Sequence, residues 1–141
     1  MGNICIITGS SGLIGSEAVA FFSEKFEKVI GIDNNMRQNF FGKDASTEWN
    51  RDELIKKYSN FEHHNIDIRN IDDLKVLFNK YRKEIGLIIH TAAQPSHDWA
   101  AKEPFLDFES NTVGTVNLLE LSRKYCPETV FIYTFITLFI F

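Results

Sequence analysis

Short unbroken runs of apolar residues recur along the chain, and between them the apolar positions spread out to intervals of three and four. The first run, "NICIIT" (Asn3 to Thr8), is β-branched and closes on a glycine cluster, the pattern of a strand buried on both faces. "GLIGSEAVAFFSEKF" follows directly, with Ile14, Ala18, Phe21, Phe22 and Phe26 at helical spacing. The unit then repeats: "KVIGID" (Lys28 to Asp33) predicts strand two and "FEHHNID" a weaker strand three. Asn70 with Asp73 reads as a helix N-cap, and Ile71, Leu74, Leu77, Phe78 and Tyr81 supply the apolar face behind it. "GLIIHTA" predicts strand four. A helical pattern from about Pro104 to Tyr125 is expected to turn Phe105, Phe108, Val116, Leu119 and Leu121 inward. "TVFIYT" (Thr129 to Thr134) is expected as a fifth buried strand.

Strands alternating with helices, most of them continuously apolar, predict an α/β fold: a Rossmann-type, doubly wound parallel sheet covered by helices on both sides. The interval 34–60 is too long for a plain connection, and Asn50 with Glu53 predicts a capping box opening a short helix through Leu54 to Tyr58. No internal repeat or linker interrupts the chain, whose 141 residues suit one domain.

Composition narrows the partners. With 44% hydrophobic residues, 24% charged residues and a net charge of -4, the chain is an ordinary globular one without a basic stripe, so nucleic acid is not an expected partner. Cys5 and Cys126 form no C-x-x-C pair and "MGNICIITGS" lacks the regions of a secretory signal, which fits a reducing, cytoplasmic location. The closing run "FIYTFITLFIF" is apolar, but from Val130 onward it falls below the roughly 18 residues that cross a bilayer, and Tyr133, Thr134 and Thr137 interrupt it. No membrane partner is expected.

Between the first strand and its helix stands "TGSSGLIGS", with Gly9, Gly12 and Gly15. Glycines there let the backbone turn tightly and approach a pyrophosphate, while the free N–H groups and positive end of the helix face the anion. Asp33 ends the second strand about 20 residues on, where a carboxylate accepts both adenosine ribose hydroxyls and repels a 2′-phosphate. This favours NAD over NADP as the cofactor, and Arg37, four residues later, is the group that would soften the preference.

The spacing G-x-x-G-x-x-G, with "IDN" ending strand two, "NIDIRN" after strand three, "HTAAQPS" after strand four and "NTVGTVNLLE" in the next helix, resembles the extended short-chain dehydrogenase/reductases of the NAD-dependent epimerase/dehydratase family. The resemblance covers nearly the whole chain to Thr134, and "AAQPSHDWAAKEPFLDFESNTVGTVNLLE" is most similar to CDP-paratose (CDP-tyvelose) 2-epimerases. It implies NAD held by Gly9, Ser11, Gly12, Leu13, Ile14 and Gly15, by Asp33 and Asn34, by Asp67 and Ile68 beside the adenine, and by Thr91, Ala92, Ala93 and Gln94 along the nicotinamide ribose. Ser96 and His97 would meet a nucleotide-sugar substrate, and Asn111 matches the helix asparagine that supports the active site.

In that family a tyrosine in Tyr-x-x-x-Lys takes the substrate hydroxyl proton while NAD accepts the hydride from the same carbon; an epimerase then returns the hydride to the other face of the transient keto-sugar. The chain has no such motif: Tyr58, Tyr81, Tyr125 and Tyr133 are followed four residues later by Glu62, Ile85, Thr129 and Thr137. The expectation is therefore an N-terminal cofactor half, residues 1–134, joined to an aberrant hydrophobic tail, residues 135–141, left by truncation or a shifted frame. Catalytic residues and substrate domain would be absent, NAD affinity at best weak, epimerase turnover nil, and a bare strand edge prone to self-association. Two alternatives stay open: a non-catalytic dinucleotide-binding or interaction module, and a fragment of an NADP-dependent reductase.

Other residues read more plainly. His63 and His64, adjacent on a strand, point to opposite faces and cannot chelate one ion together, so no metal is expected. His90 is expected to be packed and hydrogen-bonded. His97, Asp98 and Trp99 suit either a substrate contact or a solvated turn, and Phe40, Phe41 and Trp49 suit lid packing or a partner contact better than sugar stacking.

Overall fold

The computed structural model describes residues 2–94 and 96–134. β1 (Ile4–Thr8) is buried at every position, as a strand with an apolar layer on each side must be. Its two-residue period sends Ile4 and Ile6 into one layer and Cys5 and Ile7 into the other. Around it stand β2 (Lys28–Ile32), β3 (Phe61–His64), β4 (Ile85–His90) and β5 (Val130–Tyr133), all parallel, in the order β3-β2-β1-β4-β5. One face is covered by α4 (Ile71–Tyr81) and α7 (Gly114–Tyr125), through Leu74, Leu77, Phe78, Leu118 and Leu121. The other is covered by α1 (Leu13–Ser23), through Val19 and Phe22, and by α3 (Glu48–Lys57), through Leu54. This is the doubly wound sheet the alternation predicts, and it fixes β1 as the strand where winding reverses.

Two helices turn differently from their predicted faces. α1 rests on Gly15, Ala18, Val19 and Phe22, while Ile14 and Phe21 are more than half exposed. The segment before α7 is not one helix but α5 (His97–Lys102), α6 (Pro104–Phe108) and a π-helical stretch, Glu109–Val113. A π turn takes up an extra residue, so a periodicity carried forward from Phe105 loses phase beyond Val113. Phe105 is 81% exposed, and Phe108, Val116 and Leu119 also face outward; of the five expected inside, Leu121 alone is buried. The inward face of α7 carries Gly114, Asn117 and Ser122 beside Leu118 and Leu121, and hydropathy does not count the first three. Asn117 Nδ2 donates to the carbonyls of Ile68 and Arg69 at 3.0 and 3.1 Å, holding the chain that leaves β3.

The 34–60 interval holds α2 (Met36–Phe41), a 3-10 turn (Lys43–Ala45) and α3. α3 starts at Glu48, so Asn50 lies in its first turn and does not cap it. β5 is the outer strand of the described sheet and is not a buried one: Val130 and Ile132 are 46% and 42% exposed, with Phe131 packed against the core. The expected tail, residues 135–141, lies outside the described residues. Among those described, no helix is long and apolar enough to cross a membrane.

Asn70 caps α4 as its spacing predicts: Oδ1 accepts from the N–H groups of Asp72 and Asp73 at 3.1 and 3.3 Å, and Nδ2 donates to Asp73. Asn70→Ala is expected to lower unfolding free energy by about 1 kcal/mol, read by urea denaturation. No change would show that α4 draws its stability from Leu74 and Phe78 alone.

Candidate functional site

The C-terminal ends of β1, β2 and β4 meet where the winding reverses, and the loop leaving β1 sits between them. Gly9 turns that loop at φ +66°, with its N–H on the Ile32 carbonyl at 2.8 Å. A Cβ on Gly9 would stand 2.9 Å from the Ala92 nitrogen and from Thr91 Oγ1, so glycine also permits the approach of the strand-four loop. Gly15 lies directly on the turn: its Cβ would be 2.0 Å from the Gly9 carbonyl oxygen. Gly12 begins α1 with no side chain capping the helix and no acidic residue in its first turn, while Leu13 is 83% exposed and Ile14 half exposed. The positive end of an eleven-residue helix thus opens outward between two glycines, a geometry suited to a phosphate anion.

Asp33 holds this loop to the end of β2. Its Oδ2 accepts from the Ser11 N–H at 3.0 Å and its Oδ1 from the Asn35 N–H at 2.8 Å. Each oxygen keeps a further lone pair for a ligand hydroxyl. Asn35 adopts the left-handed conformation, φ 55°, which asparagine tolerates, and its side chain binds Gln38, Ser46 and the Thr47 N–H. Asn50 Nδ2 donates to the Ser11 carbonyl at 2.9 Å, so α3 grips the same loop. A cleft of about 130 Å³ lies here, walled by Ser11, Asp33, Asn34, Thr47, Arg51 and His63. Ser11 Oγ and His63 Nδ1 are buried without a partner in the folded chain, the condition expected of groups that face a polar ligand. Burial pushes the His63 pKa down, partly opposed by Asp33. Arg37 does not line this cleft: its guanidinium lies over the Phe41 ring at 5.0 Å, and Arg51, which the sequence reading passed over, takes the position near Asp33.

Asp67 stands apart from that cleft, clamped by Arg69 Nε at 3.0 Å and Nη2 at 2.6 Å. Burial raises its carboxyl pKa, and the Arg69 guanidinium and N–H outweigh this to leave it below the usual carboxylate range. Ile68 is buried, 8% exposed, with its side chain in the core and its carbonyl accepting from Asn117 Nδ2.

At the end of β4, His90 is fully buried and packed, as expected. Nδ1 lies 2.6 Å from Thr8 Oγ1 and Nε2 lies 2.9 Å from Thr115 Oγ1. Because Thr115 donates to the Asn111 carbonyl at 2.7 Å, it accepts from His90 Nε2–H, and Nδ1 then accepts from Thr8. Thr8 Oγ1 in turn accepts from the Ala92 N–H at 3.2 Å. Asn111 completes the frame: Oδ1 accepts from the Gln94 N–H at 2.8 Å and Nδ2 donates to Asp107 at 3.0 Å. Thr91 and Ala92 are thereby held against the glycine loop and Gln94 against Asn111, with Ala93 exposed between them.

Ser96 caps α5 by accepting from the Trp99 N–H at 3.3 Å, and His97, the first residue of that helix, is exposed. Trp99 crosses to the other arm: Nε1–H donates to the Phe40 carbonyl at 2.7 Å and the two rings pack with centroids 5.5 Å apart. Phe40 therefore joins a bridge between the segments after β2 and β4, whereas Trp49 is 69% exposed. His64 pairs with Glu62 at 2.7 Å while His63 faces the cleft, and no grouping of three metal-ligating side chains occurs among the described residues. Cys5 and Cys126 are free and buried, their thiols pushed up to about 12 and about 11 by that burial.

Residues 5–135 match the family described as NAD dependent epimerase/dehydratase. The chain is 32% identical over 120 residues to a UDP-glucuronate 4-epimerase of Thermodesulfobacterium geofontis, covering 85% of this chain and 35% of that protein. It is 33% identical over 129 residues to a CDP-paratose 2-epimerase of Salmonella typhi, covering 92% and 35%. Among solved structures, the UDP-glucose 4-epimerase of Thermus thermophilus, in complex with NAD, is similar with a TM-score of 0.67 and 29% identity, over 86% of this chain and 34% of that one. The chain spans about a third of the length of the relatives it matches.

Gly15→Ala is expected to cost about 1–3 kcal/mol in chemical denaturation, because backbone must shift to admit the new methyl. A change below about 0.5 kcal/mol would show that the turn can yield. His90 gives a pH signature. Burial holds its pKa down at about 4 against an ordinary 6.5, so its contribution is complete above about pH 6.5 and is lost as pH falls through about 4. The difference corresponds to about 3 kcal/mol, with His63 acting in the same direction. Denaturation midpoints across that window should show a steeper loss in the parent chain than in His90→Gln; equal slopes would remove His90 as the cause.

Proposed function

We propose a function from the premise that the chain belongs to the NAD dependent epimerase/dehydratase family: it is the cofactor-holding part of a nucleotide-sugar epimerase that uses NAD. The observation that carries this reading is the uncapped start of α1 joined through Ser11 to Asp33, with an open polar cleft beside the carboxylate. The loop Gly9–Gly15 would receive the pyrophosphate on its N–H groups, with Leu13 and Ile14 along it. Asp33 and Asn34 would hold the adenosine ribose, Asp67 and Ile68 the edge of the adenine, and Thr91, Ala92, Ala93 and Gln94 the nicotinamide ribose. Asn111 serves this site by fixing Gln94, and Ser96 and His97 would stand on the sugar side. NAD, when bound, supplies hydride acceptance and return at a sugar carbon.

Similarity to a CDP-paratose 2-epimerase, together with the resemblance carried by the segment from Ala92 through Glu120, supports a CDP-sugar as substrate and its C2 as the carbon. Within the 141 residues no Tyr-x-x-x-Lys supplies the proton-transferring pair. The chain as written is therefore read as binding NAD without turning over substrate.

Titration of the purified chain with NAD, followed by calorimetry, is expected to give weak but saturable binding that Asp33→Ala weakens about ten-fold or more, since a charged acceptor and the Ser11 tether are both lost. Absence of saturable binding would overturn the reading. Measurable conversion of a CDP-sugar by the same protein would overturn the claim that this chain does not turn over.

A further inference from the structure

The cleft beside Asp33 contains a cation, and the structure keeps it occupied. Arg51 projects from α3 into the wall of the cleft, where Nη1 meets Glu48 Oε1 at 3.2 Å and Nε meets Asp52 Oδ1 at 2.8 Å. Its side chain is 28% exposed, more enclosed than either acid. Two carboxylates, Glu48 and Asp52, therefore share one guanidinium. The position of Arg51 is not left to the flexibility of an insertion: its chain neighbour Asn50 is bonded to the Ser11 carbonyl, and Leu54, one turn on, is buried in the core. The helix that carries the cation is tethered to the loop that Asp33 also holds.

A guanidinium beside the ribose-binding carboxylate has the chemistry to receive a 2′-phosphate, with planar paired donors and a permanent charge. We propose that α3 sets the choice between the two dinucleotides: Glu48 and Asp52 withhold Arg51, so that the rejection of a 2′-phosphate begun by Asp33 is completed by the insertion. Glu48 is the decisive partner because it lines the cleft itself, adding its own charge to the wall while it engages Arg51. Asp52 backs the pair from outside. Arg51 is then a specificity residue held in reserve, and Glu48 is the residue that positions it. This inference rests on the NAD reading given above and deepens it.

The test is a double-mutant cycle on the 141-residue chain, with Kd measured for NAD and NADP by calorimetry and the NADP-to-NAD ratio as readout. Glu48→Gln is expected to lower that ratio about five-fold, the scale of freeing one partly exposed charge. In an Arg51→Ala background the same substitution is expected to lower it less than about two-fold, because no cation is left to free. Arg51→Gln repeats the cycle with the side-chain stem retained, and circular dichroism reports folding of each variant. An equal shift with and without Arg51 would overturn the proposal, since Glu48 would then act through its own charge alone. No shift in either background would overturn it too, and leave the NAD reading standing. Failure of the parent chain to bind either dinucleotide would bring down both.

Discussion

The site end of this fold depends on one neutral imidazole. His90 ends the interior strand β4, beside β1 at the register pair Thr8–His90, and it is closed off from water on every side. A charge there would have no counter-ion, so burial keeps the ring neutral and its two nitrogens chemically distinct. The tautomer follows from its neighbours: Thr115 is committed to the Asn111 carbonyl, so it accepts from Nε2–H, and Nδ1 accepts from Thr8. Two parallel strands and a helix are thereby joined by polar contacts inside a hydrophobic layer. Such a network specifies one arrangement strongly when every member is satisfied, and each atom of this one is. Its outer links, Ala92 N–H on Thr8 and Gln94 N–H on Asn111, carry that order into the loop facing the glycine turn.

Asp33 does the corresponding work on the other side of β1. Its carboxylate joins the glycine loop to the end of β2, and the Asn35 side chain then gathers the insertion around it. The insertion is thus part of the site and not an ornament on its surface. A carboxylate that already accepts two backbone N–H groups is oriented before any ligand arrives, which reduces the ordering a ligand must impose. The same residue provides local rigidity and ligand chemistry.

The sequence disclosed the layers but not the contacts between arms. Strands with β-branched runs, the Asn70 cap and the face of α4 were legible because each rests on local chemistry repeated at a fixed period. The faces of α1 and α7 were misread for a shared reason. Their contact surfaces rely on Gly15, Gly114, Asn117 and Ser122, small or polar residues that carry little hydropathy, while Phe21, Phe105 and Val116 lie outward. The π stretch from Glu109 to Val113 shifts the phase as well. β5 reads as apolar as β4, yet as the outer strand of the described sheet it is half exposed, since burial depends on neighbours and not on the strand's own composition. Of the site, the glycines, Asp33 and the strand-four loop were legible from spacing. Asn50, Arg51 and His63 were not, because no local pattern distinguishes a polar residue on an insertion helix that turns toward the loop from one that turns away.

The bridge between Trp99 and Phe40 shows how such non-local contacts shape the site. β2 and β4 flank β1, so the segments that leave them stand on either side of the glycine loop. Neither α2 nor α5 is long, each having six residues, and neither buries a residue fully, so neither would hold its position by packing alone. Joined, they restrain each other: the indole N–H takes the Phe40 carbonyl while the rings pack. The acceptor is main chain, so the hydrogen bond asks little of the residue at 40 beyond a ring to stack. The demand at 99 is strict, since among the apolar aromatic side chains tryptophan supplies both a broad apolar face and a donor at its edge. One side chain on one arm therefore sets how far apart the two arms stand, and with them the width of the opening through which a dinucleotide would reach the uncapped start of α1.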